Sequence, residues 1–229
     1  MEAIVLAGGR GTRLRTVVSD LPKPMAPVAG RPFLELLLRS LAAKEFSRVI
    51  LSTGYMAEKI SGYFGCCFAG IELDYSVESE PLGTGGAVSQ AARLVREDHF
   101  FVFNGDTFLD LDARAVDAMW QRAREPVIVA REVEDTERYG RLEADQGHVV
   151  RFAEKDLAGP GLINAGCYVF HADQFAGVEP GARFSLETDF LAPLVERAAV
   201  ALHVASGLFI DIGVPSDYAR AQHLLAGLA

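Results

Sequence analysis

Short apolar strands alternate with helical segments through the first half of the chain, and this alternation limits the fold more than any other feature. The pattern predicts strands at 3–7, 48–53, 71–77 and 100–104, and helices at 32–46, 57–64 and 83–94. Strands separated by helices in this way usually pair in parallel, with helices covering both faces of the sheet. We therefore expect an α/β fold of three layers, αβα, around a mostly parallel sheet.

The second half has a different pattern. Apolar residues flank a polar turn at Asp145-Gln146-Gly147, which predicts a β-hairpin over 141–155. Further strands are predicted at 127–131, 164–170, 200–204 and 207–212, and helices at 113–123, 186–198 and 216–225. Since no linker, repeat or low-complexity tract interrupts the chain, we expect one domain, 1–229, with an antiparallel insertion in its second half.

The bulk composition excludes several classes of protein. Half of the 229 residues are hydrophobic, enough for a substantial core, and the net charge of −9 argues against binding to nucleic acid. Three cysteines, two of them adjacent, indicate neither a metal site nor a disulfide framework. No segment resembles a signal peptide or a membrane helix, so we expect a cytoplasmic protein without a membrane partner.

Three glycines follow the first predicted strand, at Gly8, Gly9 and Gly11. Glycines at a strand end let a ligand approach the main chain, and their amides can surround an anion. Lys23 lies between two prolines, which fix the direction of its chain, and arginines stand at 10, 13 and 15. The segment suits a polyphosphate, although it matches neither the dinucleotide fingerprint nor the Walker loop. An ordinary turn is the alternative.

Two aspartates also follow apolar strands. Asp106 comes after the strand at 100–104, and Asp211 after Leu208-Phe-Ile. Ligands of parallel sheets lie at the carboxyl ends of the strands, so both carboxylates could face one crevice and share a Mg²⁺ ion. A helix cap or a turn is the alternative for each residue.

The motifs around these residues resemble those of the sugar-nucleotidyltransferases, which join a sugar 1-phosphate to a nucleoside triphosphate. The resemblance rests on Leu6-Ala-Gly-Gly-Arg-Gly-Thr-Arg-Leu14, Pro22-Lys-Pro24, Val102-Phe-Asn-Gly-Asp106 and Asp211-Ile-Gly-Val-Pro-Ser-Asp-Tyr218, and extends from Glu2 to about His223. It implies a Rossmann-like fold, with a nucleotide-binding part at about 1–112 and a sugar-phosphate-binding part at about 113–229.

The resemblance also implies roles for individual residues. Catalysis falls to Arg13, Lys23, Asp106, Lys155 and Asp211, and the metal ligands are Asp106 and Asp211. The nucleotide contacts are Leu6, Ala7, Gly8, Gly9, Gly11, Thr12, Arg13, Lys23, Glu80, Pro81, Gly83, Thr84, Asn104, Gly105 and Asp106. The sugar-phosphate contacts are Gly140, Glu154, Lys155, Asn164 and Gly166. For Glu154-Lys155 an exposed ion pair is the alternative, and for the glycines and Asn164 it is ordinary strand and turn structure.

The second glycine cluster, Gly83-Thr-Gly-Gly86, opens a predicted helix whose N-terminal amides could face a ligand. Glu80 precedes it. A carboxylate there could accept both N1–H and N2–H of guanine, whereas uracil and thymine offer one donor only. A helix-flanking acid is the alternative.

The resemblance implies GTP and a sugar 1-phosphate as the substrates, and among the sugars it favours D-glycero-α-D-manno-heptose 1-phosphate. The sugar-phosphate oxygen is already anionic at neutral pH, so the reaction needs alignment and charge neutralisation and no general base. A uridylyltransferase, a mannose 1-phosphate guanylyltransferase and a non-catalytic nucleotide-sugar sensor stay open as alternatives, as does a homodimer.

Overall fold

The structure is a computed structural model that describes residues 1–9, 11, 14, 18, 20–153 and 158–228. Its strands are β1 (Glu2–Leu6), β2 (Pro27–Val28), β3 (Arg31–Pro32), β4 (Arg48–Thr53), β5 (Cys67–Phe68), β6 (Ile71–Val77), β7 (His99–Asn104), β8 (Thr107–Leu109), β9 (Val127–Val133), β10 (Arg141–Asp145), β11 (His148–Phe152), β12 (Gly161–His171), β13 (Ala201–Ala205) and β14 (Phe209–Asp211). Its α-helices are α1 (Phe33–Ala43), α2 (Ala57–Phe64), α3 (Gly83–Ala92), α4 (Ala113–Ala123), α5 (Ala192–Arg197) and α6 (Pro215–Leu224).

One ten-stranded sheet runs through the molecule, in the order β10-β11-β13-β9-β12-β7-β1-β4-β6-β5. The four strands β7, β1, β4 and β6 are parallel, as the alternating pattern predicts. The long strand β12 is antiparallel to both β7 and β9, and it joins the parallel half to the rest. The predicted hairpin, β10 and β11, belongs to this same sheet. A larger part of the sheet is therefore antiparallel than the sequence indicates.

Helices cover both faces of the sheet, so the three-layer α/β prediction is confirmed. On one face, Leu34 and Leu37 of α1, Ile60 of α2 and Trp120 of α4 are buried against alternate residues of the parallel strands. On the other face, α3, α5 and a π-helical turn at Leu186–Leu191 are buried against the intervening residues. Burial on both faces explains why the parallel strands are apolar at nearly every position.

A small ladder at the end of the parallel strands positions the site. Strand β8 follows β7 after a two-residue turn, and β14 pairs with it antiparallel, which sets Asp211 opposite Thr107. Helix α6 and the turns at 26–33 form a separate apolar core with these strands, including Phe108, Ile210 and Ile212. Asp106, in the turn before β8, and Asp211, at the end of β14, are therefore held beside each other by this ladder.

Most predicted elements are present within a few residues of the expected bounds. The short pairs β2–β3, β5–β6 and β8–β14 were not predicted in full, because two- and three-residue strands show no periodicity. Among the described residues, no helix combines the length and the apolar character that crossing a bilayer requires.

Candidate functional site

A cleft of about 350 Å³ opens at the carboxyl ends of the parallel strands. It is lined by Leu6, Gly8, Gly9, Lys23, Pro24, Glu78, Pro81, Gly83, Thr84, Ala87, Asn104 and Asp106. Residues 100 positions apart meet here because parallel strands end at the same edge of the sheet. The structure thus brings together most of the nucleotide-binding residues that were predicted, in a site of the size that small ligands occupy.

The first glycine segment leaves the main chain open toward this cleft. A Cβ atom on Gly9 would have no heavy atom of the described residues within 4 Å, whereas one on Gly8 would come within 2.6 Å of Glu78 Oε1. Gly11 has φ +57°, and a Cβ there would lie 2.8 Å from Lys23 Cβ. The absence of a side chain therefore leaves open space at Gly9, and it lets the side chains of Glu78 and Lys23 approach the main chain at Gly8 and Gly11.

Lys23 starts a 3₁₀ turn at Lys23–Met25, and its side chain is only 10 % exposed. Its Nζ forms an ion pair with Asp106 Oδ2 and lies 4.0 Å from Asp211 Oδ1. A mostly buried ammonium between two carboxylates is a compact centre of charge, and it stands at the end of the cleft beside the glycine segment.

The two aspartates come together through backbone contacts. Asp106 follows Gly105, whose N–H donates to Leu6 O at 2.9 Å, and a Cβ on Gly105 would come within 2.4 Å of that oxygen. The N–H of Ile212 donates to Asp106 O at 2.9 Å, which ties the two acidic turns together. The small residues Gly105 and Ala7 thus let the backbone of the turn after β7 lie close to the end of β1.

Burial, and after it the neighbouring charge of Asp106, raises the pKa of the Asp211 carboxyl above its ordinary value. Lys23 and the N–H of Gly213 act in the opposite direction. Two carboxylates that repel each other in a partly buried site favour a cation between them, and their oxygens are the ligands that Mg²⁺ prefers.

Within the described part of the chain, no group of three or more His, Cys, Asp or Glu side chains is placed to hold a metal ion. Asp106 and Asp211 alone would hold a divalent ion, with phosphate oxygens and water as the remaining ligands. Such a donor set fits an ion that arrives with its nucleotide, since Mg²⁺ is usually bound by one or two carboxylates plus substrate phosphates.

The second glycine segment corrects one expectation from the sequence. The N–H groups of Gly85 and Gly86 donate to Phe184 O, at 3.0 and 3.4 Å, so these amides of α3 do not face a ligand. A Cβ on Gly85 would lie 2.2 Å from the Phe184 ring, and one on Gly86 2.3 Å from Ala182 O. These two glycines therefore admit the segment 182–186, and only Gly83 and Thr84 of the cluster line the cleft.

Glu80 lies outside the cleft lining, at an adjoining recess of about 160 Å³, and its exposed carboxylate forms an ion pair with Arg183. Glu78 is the carboxylate that lines both the cleft and the recess. Burial raises its pKa, and its Oε2 accepts from Leu82 N–H at 2.9 Å. The sequence reading missed Glu78, although it directly follows β6 just as Asp106 closely follows β7.

Two of the predicted sugar-side residues, Asn164 and Gly166, lie on β12. Strand β12 has an irregular register between Asn164 and Cys167, and the bulge contains Gly166 with φ +70°. A Cβ on Gly166 would come within 2.5 Å of Asn104 Nδ2, which places the bulge beside the cleft that Asn104 lines.

Gly140 ends a turn in which its N–H donates to Thr136 O at 3.2 Å. Its neighbour Tyr139 packs on Phe209, with ring centroids 6.0 Å apart, and both line a second cavity of about 550 Å³. Gly140 is therefore near β14 but outside the lining of the 350 Å³ cleft. Thr12, Arg13, Glu154 and Lys155 lie outside the described residues, and their roles stay predictions.

Comparisons with known proteins identify the family of this chain. The sequence model of the nucleotidyl transferase family matches residues 2–227. The chain belongs to this family. The prediction of a nucleotidyltransferase with an α/β fold is thereby confirmed, and family members generally use a divalent metal.

Two curated relatives in the family cover nearly the same length as this chain. The D-glycero-alpha-D-manno-heptose 1-phosphate guanylyltransferase of Aneurinibacillus thermoaerophilus is 40 % identical over 226 residues, with 97 % of each chain covered. The protein of the same name from Campylobacter jejuni is 39 % identical over 219 residues, covering 95 % of this chain and 97 % of its own. A crystal structure of HddC from Yersinia pseudotuberculosis, complexed with GMP-PN, has a TM-score of 0.88 at 36 % identity, covering 98 % of this chain and 99 % of its own.

Proposed function

We propose that this protein transfers GMP from GTP to D-glycero-α-D-manno-heptose 1-phosphate and releases pyrophosphate. The observation that carries the proposal is the Lys23 ammonium between Asp106 and Asp211 at the end of a glycine-lined cleft. The substrates come from the printed names of the two relatives, which match almost end to end.

The chemistry is a single displacement at the α-phosphorus of GTP. An oxygen of the sugar 1-phosphate forms a bond to this phosphorus, while the bond to the bridging oxygen of the β-phosphate breaks, and that oxygen leaves with the pyrophosphate. The nucleophile is already an anion, so alignment and charge neutralisation supply the catalysis. Lys23 offsets charge on the triphosphate, the open main chain at Gly9 admits it, and Arg13 and Lys155 have the predicted roles at the two phosphates.

A magnesium ion held by Asp106 and Asp211 would withdraw charge from the phosphate oxygens and orient them. Lys23 would then turn from the carboxylates to the triphosphate. The finer assignments also belong to this proposal: magnesium as the ion, the cytoplasm as the location and a homodimer as one arrangement.

Guanine selection can be assigned to one of two carboxylates that are two residues apart. Glu78 stands in the cleft wall, while Glu80 stands at its rim with Arg183. We favour Glu78, because a partly desolvated carboxylate discriminates more strongly between one and two hydrogen-bond donors than an exposed one. Glu78→Gln should lower the preference for GTP over UTP, measured as the ratio of kcat/KM values, about tenfold. Glu80→Gln is the matched control, and a larger change in that variant would return the role to Glu80.

The deciding experiment measures pyrophosphate release with GTP, UTP and dTTP, each against a panel of sugar 1-phosphates that includes mannose 1-phosphate. GTP with the heptose 1-phosphate should give the highest kcat/KM. A preference for UTP, or for mannose 1-phosphate, would replace the proposal by the corresponding alternative. Nucleotide binding without turnover of any sugar phosphate would favour a sensor.

Asp106→Ala should remove most turnover, a loss of at least about a hundredfold, since it takes away one of the two metal-binding carboxylates. Asp110→Ala is the matched control, because Asp110 is exposed and pairs with Lys44 at 3.1 Å. Pyrophosphate release near the wild-type rate in Asp106→Ala would show that the carboxylate pair has another role.

A further inference from the structure

Two side chains of α6 converge on one backbone carbonyl close to Lys23. Tyr218 Oη donates to Pro27 O at 2.5 Å, and Gln222 Nε2 donates to the same oxygen at 2.9 Å. The two side chains are one helical turn apart, so they lie on the same face of α6. Tyr218 is only 9 % exposed and belongs to the core that α6 forms with the turns at 26–33. Both lone pairs of Pro27 O are thus occupied by one helix.

Gln222 also binds the far side of this turn. Its Oε1 accepts from Ala29 N–H at 3.0 Å, so its amide pairs with the backbone at both Pro27 and Ala29. The two contacts fix the orientation of the amide, because a carbonyl oxygen only accepts and an N–H only donates. In the ladder of β2 and β3, Pro27 is paired with Pro32, which has no N–H to donate. Helix α6 therefore completes the hydrogen bonding of this turn.

The turn is joined to Lys23 by a short run of backbone hydrogen bonds. Ala26 N–H donates to Lys23 O at 3.0 Å, and Met25 N–H donates to Pro22 O at 2.8 Å. Met25 and Ala26 are buried, and the prolines on both sides of Lys23 restrict the backbone further. A displacement of Pro27 would therefore displace the backbone of Lys23 as well.

Helix α6 is joined just as closely to the carboxylates. It begins at Pro215, shortly after Asp211 ends β14. Between them, Ile212 N–H donates to Asp106 O at 2.9 Å. The helix thus connects the two acidic turns, at its N-terminal end, with the segment that carries Lys23. Of the motif 211–218, the sequence gives a role to Asp211 alone, whereas the structure makes Tyr218 part of the same unit.

We propose that Gln222 and Tyr218 are positioning residues. By fixing the turn at Pro27 to α6, they hold the backbone of Lys23 where its ammonium reaches both the carboxylates and the triphosphate. The inference rests on the proposed function, in which Lys23 offsets charge on the triphosphate. Neither Gln222 nor Tyr218 lines the cleft, so we expect each to act through the lysine.

The test is Gln222→Met, which keeps the length of the side chain and removes its hydrogen bonds to the turn. It is assayed by pyrophosphate release with GTP and the sugar 1-phosphate that the wild type uses best. For folded enzyme, kcat/KM for GTP should fall about tenfold, while KM for the sugar 1-phosphate stays within about twofold. A purely structural role would lower the midpoint of urea denaturation and leave these kinetic constants unchanged. That result overturns the proposal, as does a comparable rise of KM for the sugar 1-phosphate.

A double-mutant cycle tests the route through Lys23. In Lys23→Met protein, assayed at high enzyme concentration, Gln222→Met should lower kcat/KM for GTP no further, because the ammonium that Gln222 positions is absent. Two effects that multiply would contradict the proposal.

Tyr218→Phe gives a second route if Gln222→Met fails to fold, since it removes one hydrogen bond and keeps the ring in the core. We expect kcat/KM for GTP to fall about threefold, again with little change in KM for the sugar 1-phosphate. An unchanged kcat/KM overturns the assignment to Tyr218.

Tyr75→Phe is the matched control for this variant. Its hydroxyl also donates to a backbone carbonyl, Gly65 O at 2.6 Å, but it belongs to β6, next to the far edge of the sheet. Its kinetic constants should equal those of the wild type. A threefold fall in this control as well would show that the effect of Tyr218→Phe is not specific to the turn at Pro27, and would overturn the proposal.

Failure of the proposed function would look different. Wild-type protein would then release no pyrophosphate from GTP with any sugar 1-phosphate. An active wild type whose Gln222 and Tyr218 variants keep full activity would overturn this inference and leave the proposed function intact.

Discussion

Two glycine-rich segments line one cleft, and glycine has a different structural role in each of them. In the segment 8–11, a Cβ on Gly9 would have no atom of the described residues within 4 Å. In the segment 83–86, Gly85 and Gly86 are covered by the chain at 182–186, and their amides are bonded to Phe184 O. Glycine repeats that look alike in sequence can therefore admit a ligand in one place and another part of the protein in the next. The two segments differ in whether other protein atoms occupy the space that a Cβ atom on the glycine would need.

Gly86→Ala should have the largest effect, and it should act on stability. The new methyl would meet Ala182 O at 2.3 Å and Leu82 Cβ at 2.8 Å, so backbone must shift. We expect the free energy of unfolding to fall by about 2 kcal/mol, the usual cost of overpacking a core, measured by urea denaturation. An unchanged midpoint would mean that the segment 182–186 is not tightly packed on α3.

Gly9→Ala should leave stability unchanged and impair catalysis. A Cβ here meets nothing in the described residues, so we expect it to clash with a bound nucleotide and not with them. KM for GTP should rise about tenfold, equivalent to about 1.4 kcal/mol, at a wild-type urea midpoint. If Gly9→Ala and Gly86→Ala both lowered the urea midpoint, or both raised KM for GTP alone, the two segments would not differ in the way described.

Gly11→Ala should give a mixed result. Its φ of +57° would cost an alanine about 1 kcal/mol of stability, and the methyl would press on Lys23 Cβ at 2.8 Å. We expect a moderate loss of stability together with a loss of turnover, seen by urea denaturation and by initial rates. Normal turnover at reduced stability would show that the position of Lys23 tolerates this displacement.

The smallest of the expected changes is in the pKa of the Asp211 carboxyl: Lys23→Met, which should also lose turnover, should raise that pKa further, because the lysine lowers it in the wild type. A carboxyl whose pKa is raised on folding stabilises the fold below its unfolded pKa, and this contribution is lost as pH rises through the folded pKa. The free energy of unfolding should therefore fall more steeply with rising pH in the variant. Carboxyl ¹³C NMR titration measures the pKa directly, and Gly86→Ala should leave it unchanged.

The sequence predicts the parts of this site that follow from strand periodicity. Gly8, Asp106 and Asp211 were found because each follows an apolar run, and the ends of strands in such a fold meet at one edge. The same reasoning could have found Glu78, which ends β6 in the same manner.

Other features depend on tertiary contacts that no local pattern contains. Phe184 and Arg183 reach the second glycine segment from 100 residues away along the chain, and this contact decides which amides remain for a ligand. The bulge at Asn164 is a mismatch of register between β12 and β9, so it exists only once the two strands have paired. Sequence reasoning could name Gly166 by resemblance but could not place it beside Asn104.

The central place of β12 in the sheet has a consequence for biosynthesis. Strand β7 is buried and wholly apolar over Phe100–Phe103, and the neighbour that covers one of its edges is not made until residues 161–171. A nascent chain stopped before residue 161 would display a row of unpaired N–H and C=O groups on its most hydrophobic strand, and such edges recruit other chains. While the ribosome translates the residues between β7 and β12, this edge of β7 is therefore open to pairing with another chain.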